Sequence, residues 1–109
     1  MSGETHQSKK LRIEILVASP PTKKCKAMIA LFEQFLEEFP ARLMLNIYYA
    51  GEPMTGNPTK GFKNDSAKTR KIPTAYVNGI NVAKQFVPQV QEIRNIIVNE
   101  LSKPESQWQ

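Results

Sequence analysis

The sequence predicts an α/β fold of three layers, a mixed central sheet with helices on both faces, in the order β-α-β-(short helix or loop)-β-β-α. Three observations predict it. Two apolar strand patterns, "LRIEILVA" and "RLMLNIYY", are joined through one amphipathic helical pattern, which describes a parallel, right-handed βαβ crossover. An Asn78-Gly79 pair stands between two later apolar runs and marks a two-residue hairpin, whose type I′ turn needs positive φ at both positions. A second helical pattern follows the hairpin. Elements in this order bury one sheet under helices.

Residues 1–10 are polar and are expected to form a disordered tail; one domain spans 11–101, and 102–109 form a C-terminal tail. In the first strand Leu11, Ile13, Ile15 and Val17 alternate, and Leu16 and Ala18 extend the apolar run. That suits a strand covered on both faces. From Cys25, the apolar residues Met28, Ile29, Phe32, Phe35, Leu36 and Phe39 recur at helical spacing, with Glu33, Glu37 and Glu38 opposite. Pro40 ends this helix, because the residue before a proline avoids helical geometry. Residues 51–71 contain three glycines and two prolines without a sustained period. A segment this long is expected to hide a short helix or to carry function. "NDSAKTRK" is the candidate helix, with Asn64, Asp65 or Ser66 as its cap. Pro88 opens the last helix, whose apolar face is Val90, Ile93, Ile97 and Leu101. "SKPESQWQ" is expected to fray with Trp108 loose in it, a tryptophan folded back onto the core being the alternative.

A chain of 109 residues, 40% hydrophobic and 23% charged, fits a single globular domain. No apolar run reaches the roughly 18–20 residues that cross a bilayer, and "MSGETHQSKK" is expected to be neither signal nor transit peptide. A single cysteine, Cys25, makes no internal disulfide and suits a reducing cytoplasm. The formal charge of +5 is concentrated in Lys9, Lys10, Arg12, Lys23, Lys24 and Lys26, and again in Lys60, Lys63, Lys68, Arg70 and Lys71. Either cluster could meet a polyanion, nucleic acid included, or be solvated surface. No aromatic residues interleave them as a base-stacking platform needs. His6, the lone histidine, lies in the polar tail, so a Cys/His pair and a histidine metal site both lack parts. No glycine-rich loop opens a helix to hold phosphate. No metal and no cofactor are expected.

Two motifs carry a family resemblance. "CKAMIALFEQFLEEF" resembles the thioredoxin segment that begins at the second active-site cysteine, and "RKIPTAYVNG" resembles the Ile-Pro-Thr half of that site. The likeness covers about residues 11–101 and implies a thioredoxin-like fold with Pro73 in cis, facing the thiol site. The departures are specific. The attacking cysteine's place is Thr22, and the surviving Cys25 stands where the resolving thiol would be. Dithiol exchange needs one thiolate to attack and a second thiol to release the mixed disulfide, so the general reductase activity is not expected. The tryptophan before the motif is replaced by Pro21, and Gly-Pro within it by Lys23-Lys24. The family's buried carboxylate falls near Leu16 and is missing there. The glutathione signature of glutaredoxins, a Gly-Gly followed by an acidic cap, is absent after the hairpin, so no glutathione site is expected.

What remains at the site has alternatives. Thr22 is placed to be the helix N-cap. The same Thr-x-x-Cys spacing resembles peroxiredoxins, where the threonine orients peroxide at the cysteine, although Ala18 stands where that family has proline. For Cys25, the helix N-terminus and three lysines favour thiolate, whereas burial disfavours it and blocks access. By the thioredoxin resemblance, the edge at Ile72, Pro73 and Thr74 accepts an extended peptide by strand addition. Lys23, Lys24, Arg70 and Lys71 flank it and would suit an acidic partner, with Met54 and Phe62 as an apolar lip or as pins holding the loop. The sequence therefore points to a protein- or peptide-binding or regulatory module, with a single-thiol redox or peroxidase-like enzyme using Cys25 and Thr22, or a polyanion binder, as alternatives.

Overall fold

The alternation in the first strand sets up the rest of the molecule. In the computed structural model, which describes residues 9–54, 56–69 and 71–109, β1 (Leu11–Val17) sends Leu11, Ile13, Ile15 and Val17 into one large apolar core. α1 (Lys23–Glu38) covers that face with Met28, Leu31, Phe32 and Phe35. The chain then returns as β2 (Leu43–Tyr49), parallel to β1 in unbroken register from Leu11↔Leu43 to Val17↔Tyr49. α2 (Lys60–Thr69) crosses the opposite face. β3 (Thr74–Val77) runs antiparallel to β1, and β4 (Ile80–Lys84) antiparallel to β3. The sheet order is β2-β1-β3-β4. α3 (Val90–Leu101) joins α1 on the first face through Ile93 and Ile97. The result is the expected three-layer, mixed-sheet α/β fold.

The hairpin turns on Asn78 at φ 52° and Gly79 at φ 74°, both in the left-handed region that a type I′ turn requires. Three expectations need correction. The short helix begins not in "NDSAKTRK" but at Lys60, where the Thr59 hydroxyl accepts from the Phe62 amide at 3.2 Å. Asn64, Asp65 and Ser66 therefore lie inside the helix. Gly61 sits in its first turn because a Cβ there would come within 1.9 Å of the Gly79 carbonyl oxygen. That glycine permits a close approach of two backbones.

Val90, assigned above to the apolar face of the last helix, is exposed; the buried face is Ile93, Ile97 and Glu100. The segment after α3 does not fray. A 3₁₀ turn, Glu105–Gln107, folds it back, and Trp108 is only 4% exposed, its indole N–H donating to the Glu100 carbonyl at 2.9 Å. Asn78 clamps this return, its amide donating to Glu100 Oε1 at 2.9 Å and its side-chain oxygen accepting from the Gln109 amide at 2.7 Å. A buried indole with its polar edge satisfied outweighs the ordering cost of a few residues. The tail expected over 1–10 lies outside the described residues except at Lys9 and Lys10, where the Lys9 amide donates to Glu105 at 3.1 Å.

Candidate functional site

The site lies where β1 ends and α1 begins. Thr22, at φ −79° and ψ 175°, is the N-cap of α1, and its hydroxyl accepts from the Cys25 amide at 3.2 Å. The same hydroxyl lies 3.1 Å from Cys25 Sγ and is oriented to donate to it; one hydroxyl can do both. The Ala18 amide, at the end of β1, approaches the sulfur at 3.5 Å. Burial pushes the thiol's pKa up, but the Ala18 amide, the Thr22 hydroxyl and the amides of the first turn pull it down. The net value is below the ordinary 9.0. Cys25 itself is 0% exposed, so a thiolate-favouring environment is sealed from solvent.

Across from Ala18, β3 begins beside β1 with the pair Leu16↔Thr74. Ile72–Pro73 is a cis peptide bond, as is Ser19–Pro20. The Thr74 hydroxyl donates back to the Lys71 carbonyl, closing the turn before β3. The Pro73 carbonyl accepts from the Gln85 amide at 2.7 Å. Lys24 reaches over from α1 and donates to the Gln85 carbonyl at 3.0 Å. The structure thus brings Thr22, Cys25, Lys24, Ile72, Pro73 and Thr74 to one end of the sheet. Lys23 and Lys71 stand exposed on its rim, and Arg70 lies outside the described residues.

Beside Ile72 is a cleft of about 240 Å³ lined by Leu16, Tyr49, Glu52, Met54 and Ile72, among others. Sites that enclose drug-sized molecules run to roughly 300–1,000 Å³, so this cleft is small and of a size to take one side chain. The Ser19 hydroxyl donates to Glu52 and fixes the rim. Of the two roles open to Met54 and Phe62, lip or pin, Met54 takes the lip position, 46% exposed. Phe62 does not. It is fully buried, with ring centroids 4.7 Å from Tyr48 and 4.9 Å from Tyr76, and pins α2 to the sheet.

Sequence reasoning missed Leu16, Tyr49 and Glu52 as cleft residues, and also Phe86 and Val87, which are exposed next to Gln85. The signal for the last two was an apolar pair just before Pro88 that fits neither the strand nor the helix pattern. It also missed a buried carboxylate. Glu14 lies two residues before Leu16 on the same face of β1 and is 0% exposed. Tyr48 donates to it at 2.9 Å, the Thr59 amide at 2.8 Å, and the Thr59 hydroxyl to its other oxygen. The Arg12 guanidinium is 3.7 Å away. These donors hold α2 and the segment before it against the sheet; Arg12 also donates to the Asn57 carbonyl at 2.8 Å. Among the described residues, no group of three or more His, Cys, Asp or Glu side chains could hold a metal ion, and no helix is long and apolar enough to cross a membrane.

No protein-family model matches the chain, and no curated protein matches its sequence. Among solved structures, the crystal structure of Trgpx in apo form is similar at a TM-score of 0.52. The match covers 87% of this chain and 82% of that one at 10% sequence identity. Similarity at that identity establishes the fold, and the fold is thioredoxin-like.

Proposed function

We propose that this thioredoxin-like domain is a binding or regulatory module, cytoplasmic in setting, that receives an extended acidic peptide at the Pro73 groove. The observation that carries the reading is the pairing of two features at one end of the sheet. The chemical half is closed: Thr22, which the thioredoxin resemblance sets at the attacking position, is engaged as an N-cap, while Cys25 is fully buried. The receptive half opens at Ile72: Pro73 and Thr74 are buried, Thr74 being paired with β1 and β4, while Met54 and Tyr49 are exposed around a one-side-chain cleft beside Ile72. Among the described residues, the Ile72 amide and carbonyl take part in no backbone hydrogen bond outside the regular elements, which leaves them available for strand addition. Exposed Lys23, Lys24 and Lys71 favour an acidic chain.

The test is an amide-shift titration with short extended peptides that place one leucine between acidic or between basic residues. The acidic peptide is expected to shift Leu16, Met54 and Ile72–Thr74 and to weaken with salt. Met54→Asp, at an exposed position, is expected to cost about tenfold in affinity. Shifts that avoid the cleft, or a preference for the basic peptide, would remove the reading.

One observation favours a second reading. The Thr22 hydroxyl at 3.1 Å from Sγ and the lowered thiol pKa suit a single-thiol or peroxidase-like activity. The alkylation rate of Cys25 against pH separates the two. Rapid reaction of the folded protein with a midpoint below 9, abolished in Cys25→Ser, moves the enzyme reading ahead. Reaction only on unfolding leaves the binding module.

A further inference from the structure

The two edges of the sheet are built differently. β4 is five residues long, carries Lys84, and slips register against β3 between Ala75 and Tyr76. Shortness, a lysine and a bulge are the devices that keep an edge from pairing with another chain. β2 has none of them. It is seven residues long, uncharged and free of proline, and its register with β1 is unbroken. Among the described residues no strand lies beyond it, so the backbone groups that point away from β1 have no ladder partner there. Met44 is 42% exposed, and Leu45, Asn46 and Ile47 are only half-buried.

We propose that this edge pairs with β2 of a second copy of the chain, antiparallel and centred on Asn46, joining two four-stranded sheets into one. The strand's own residues argue for that occupant. Pairing about Asn46 sets Leu43 against the partner's Tyr49, Met44 against its Tyr48, Leu45 against its Ile47, and Asn46 against itself. Aliphatic and aromatic residues then face one another at every position but the centre, where two amides meet, and no like charges oppose. Charge sets the direction. Arg42 precedes the strand and Glu52 follows it, both exposed. Antiparallel pairing brings each copy's cationic end to the other's anionic end, whereas parallel pairing would set like against like. The contact is isologous and closes on itself, the arrangement most soluble oligomers adopt. It does not depend on the peptide reading, and of the cleft residues named above only Tyr49 and Glu52 take part in it.

A single strand pair lies at the small end of specific interfaces, so a reversible dimer is expected. Sedimentation equilibrium of the full chain from roughly 1 µM to roughly 1 mM should show the mass rising from 12.4 kDa toward twice that value. Met44→Lys, at an exposed position, is expected to raise the dissociation constant by about tenfold or more. Ile80→Lys, at the 52% exposed position on β4, should leave it unchanged. Asn46→Cys should cross-link two copies with a short bis-maleimide, since directly opposed Cβ atoms lie about 4.5–5.5 Å apart and Cys25 is fully buried. A chain that stays monomeric throughout, or a dimer that survives Met44→Lys or is dissolved by Ile80→Lys, overturns the proposal. A dimer whose Asn46→Cys form does not cross-link overturns the pairing about Asn46.

Discussion

The face of the sheet under α1 and α3 is packed almost entirely with apolar side chains, whereas the face under α2 is packed around a carboxylate. On the first, Leu11, Ile13, Ile15, Val17, Phe32, Phe35, Ile93, Ile97 and Trp108 form one continuous core. On the second, Leu16, Tyr48, Phe62 and Tyr76 form a smaller cluster beside Glu14, whose oxygens accept from Tyr48 and Thr59. The first face gains stability from removing apolar area from water, a non-directional effect that tolerates exchange of one aliphatic for another. The second depends on particular donors meeting particular acceptors, and an unmet partner there carries a full desolvation cost. The larger core carries more of the stability, and the smaller one specifies where α2 sits.

The largest expected effect follows from the first face. Phe32 is fully buried among α1, β1 and α3. Phe32→Ala should lower stability by about 3–5 kcal/mol, the usual cost of losing a buried aromatic and leaving a cavity, read as a shift in urea midpoint with unchanged slope. A loss below about 1 kcal/mol would mean that this core collapses around the gap and is looser than its burial implies.

A smaller effect is expected on the second face. Glu14→Gln keeps the shape but replaces one carboxylate oxygen by an NH₂ group that faces donors from Tyr48 or Thr59. A destabilisation of about 1–3 kcal/mol is expected, with amide exchange in α2 rising before exchange in α1. Equal loosening of both helices would show that the carboxylate supports the whole sheet rather than α2.

This difference also explains what the sequence disclosed. The first face was legible because its residues repeat: period two in "LRIEILVA" and helical spacing from Cys25 to Phe39 report which side is buried. The N-cap at Thr22, the Asn78-Gly79 turn and the end of α1 at Pro40 were legible for the same local reason. The second face was not. In the alternation, Glu14 occupies a place that reads as solvent-facing, and nothing in β1 shows that Thr59 and Tyr48 arrive to satisfy it. Gly61 and the proline-rich run before it hid the start of α2, because the glycine answers to Gly79 in another element. Trp108 could be read only as loose or folded back, since its partners Glu100 and Lys9 are set by tertiary contact. At the site, the cap and the Pro73 edge were visible in short motifs. The cleft was not, because Leu16, Tyr49 and Glu52 come together only when the ends of β1 and β2 align.

The smallest expected effect is a titration that separates the faces by pH. Tyr48 and Tyr76 both have phenol values raised above the ordinary 10, in each case chiefly by burial. The Glu14 charge and hydrogen bond add to it at Tyr48, and the Asp65 hydrogen bond and charge at Tyr76. A folded value above the unfolded one contributes stability that is complete below pH 10 and is lost as pH rises through the folded value. Cys25 has the opposite sign. Its lowered value contributes stability that is present above 9.0 and lost as pH falls, so it cannot account for an alkaline loss. Between pH 9 and pH 11 each tyrosine should therefore cost about 1 kcal/mol, confined to the α2 face. The urea midpoint should fall over that range, α2 amides should exchange faster while α1 amides hold, and Tyr48→Phe should shrink the fall. An undiminished fall in that variant would place the alkaline titration outside the Glu14 network, and the α2 face would then owe its position to the packing of Phe62 rather than to its hydrogen bonds.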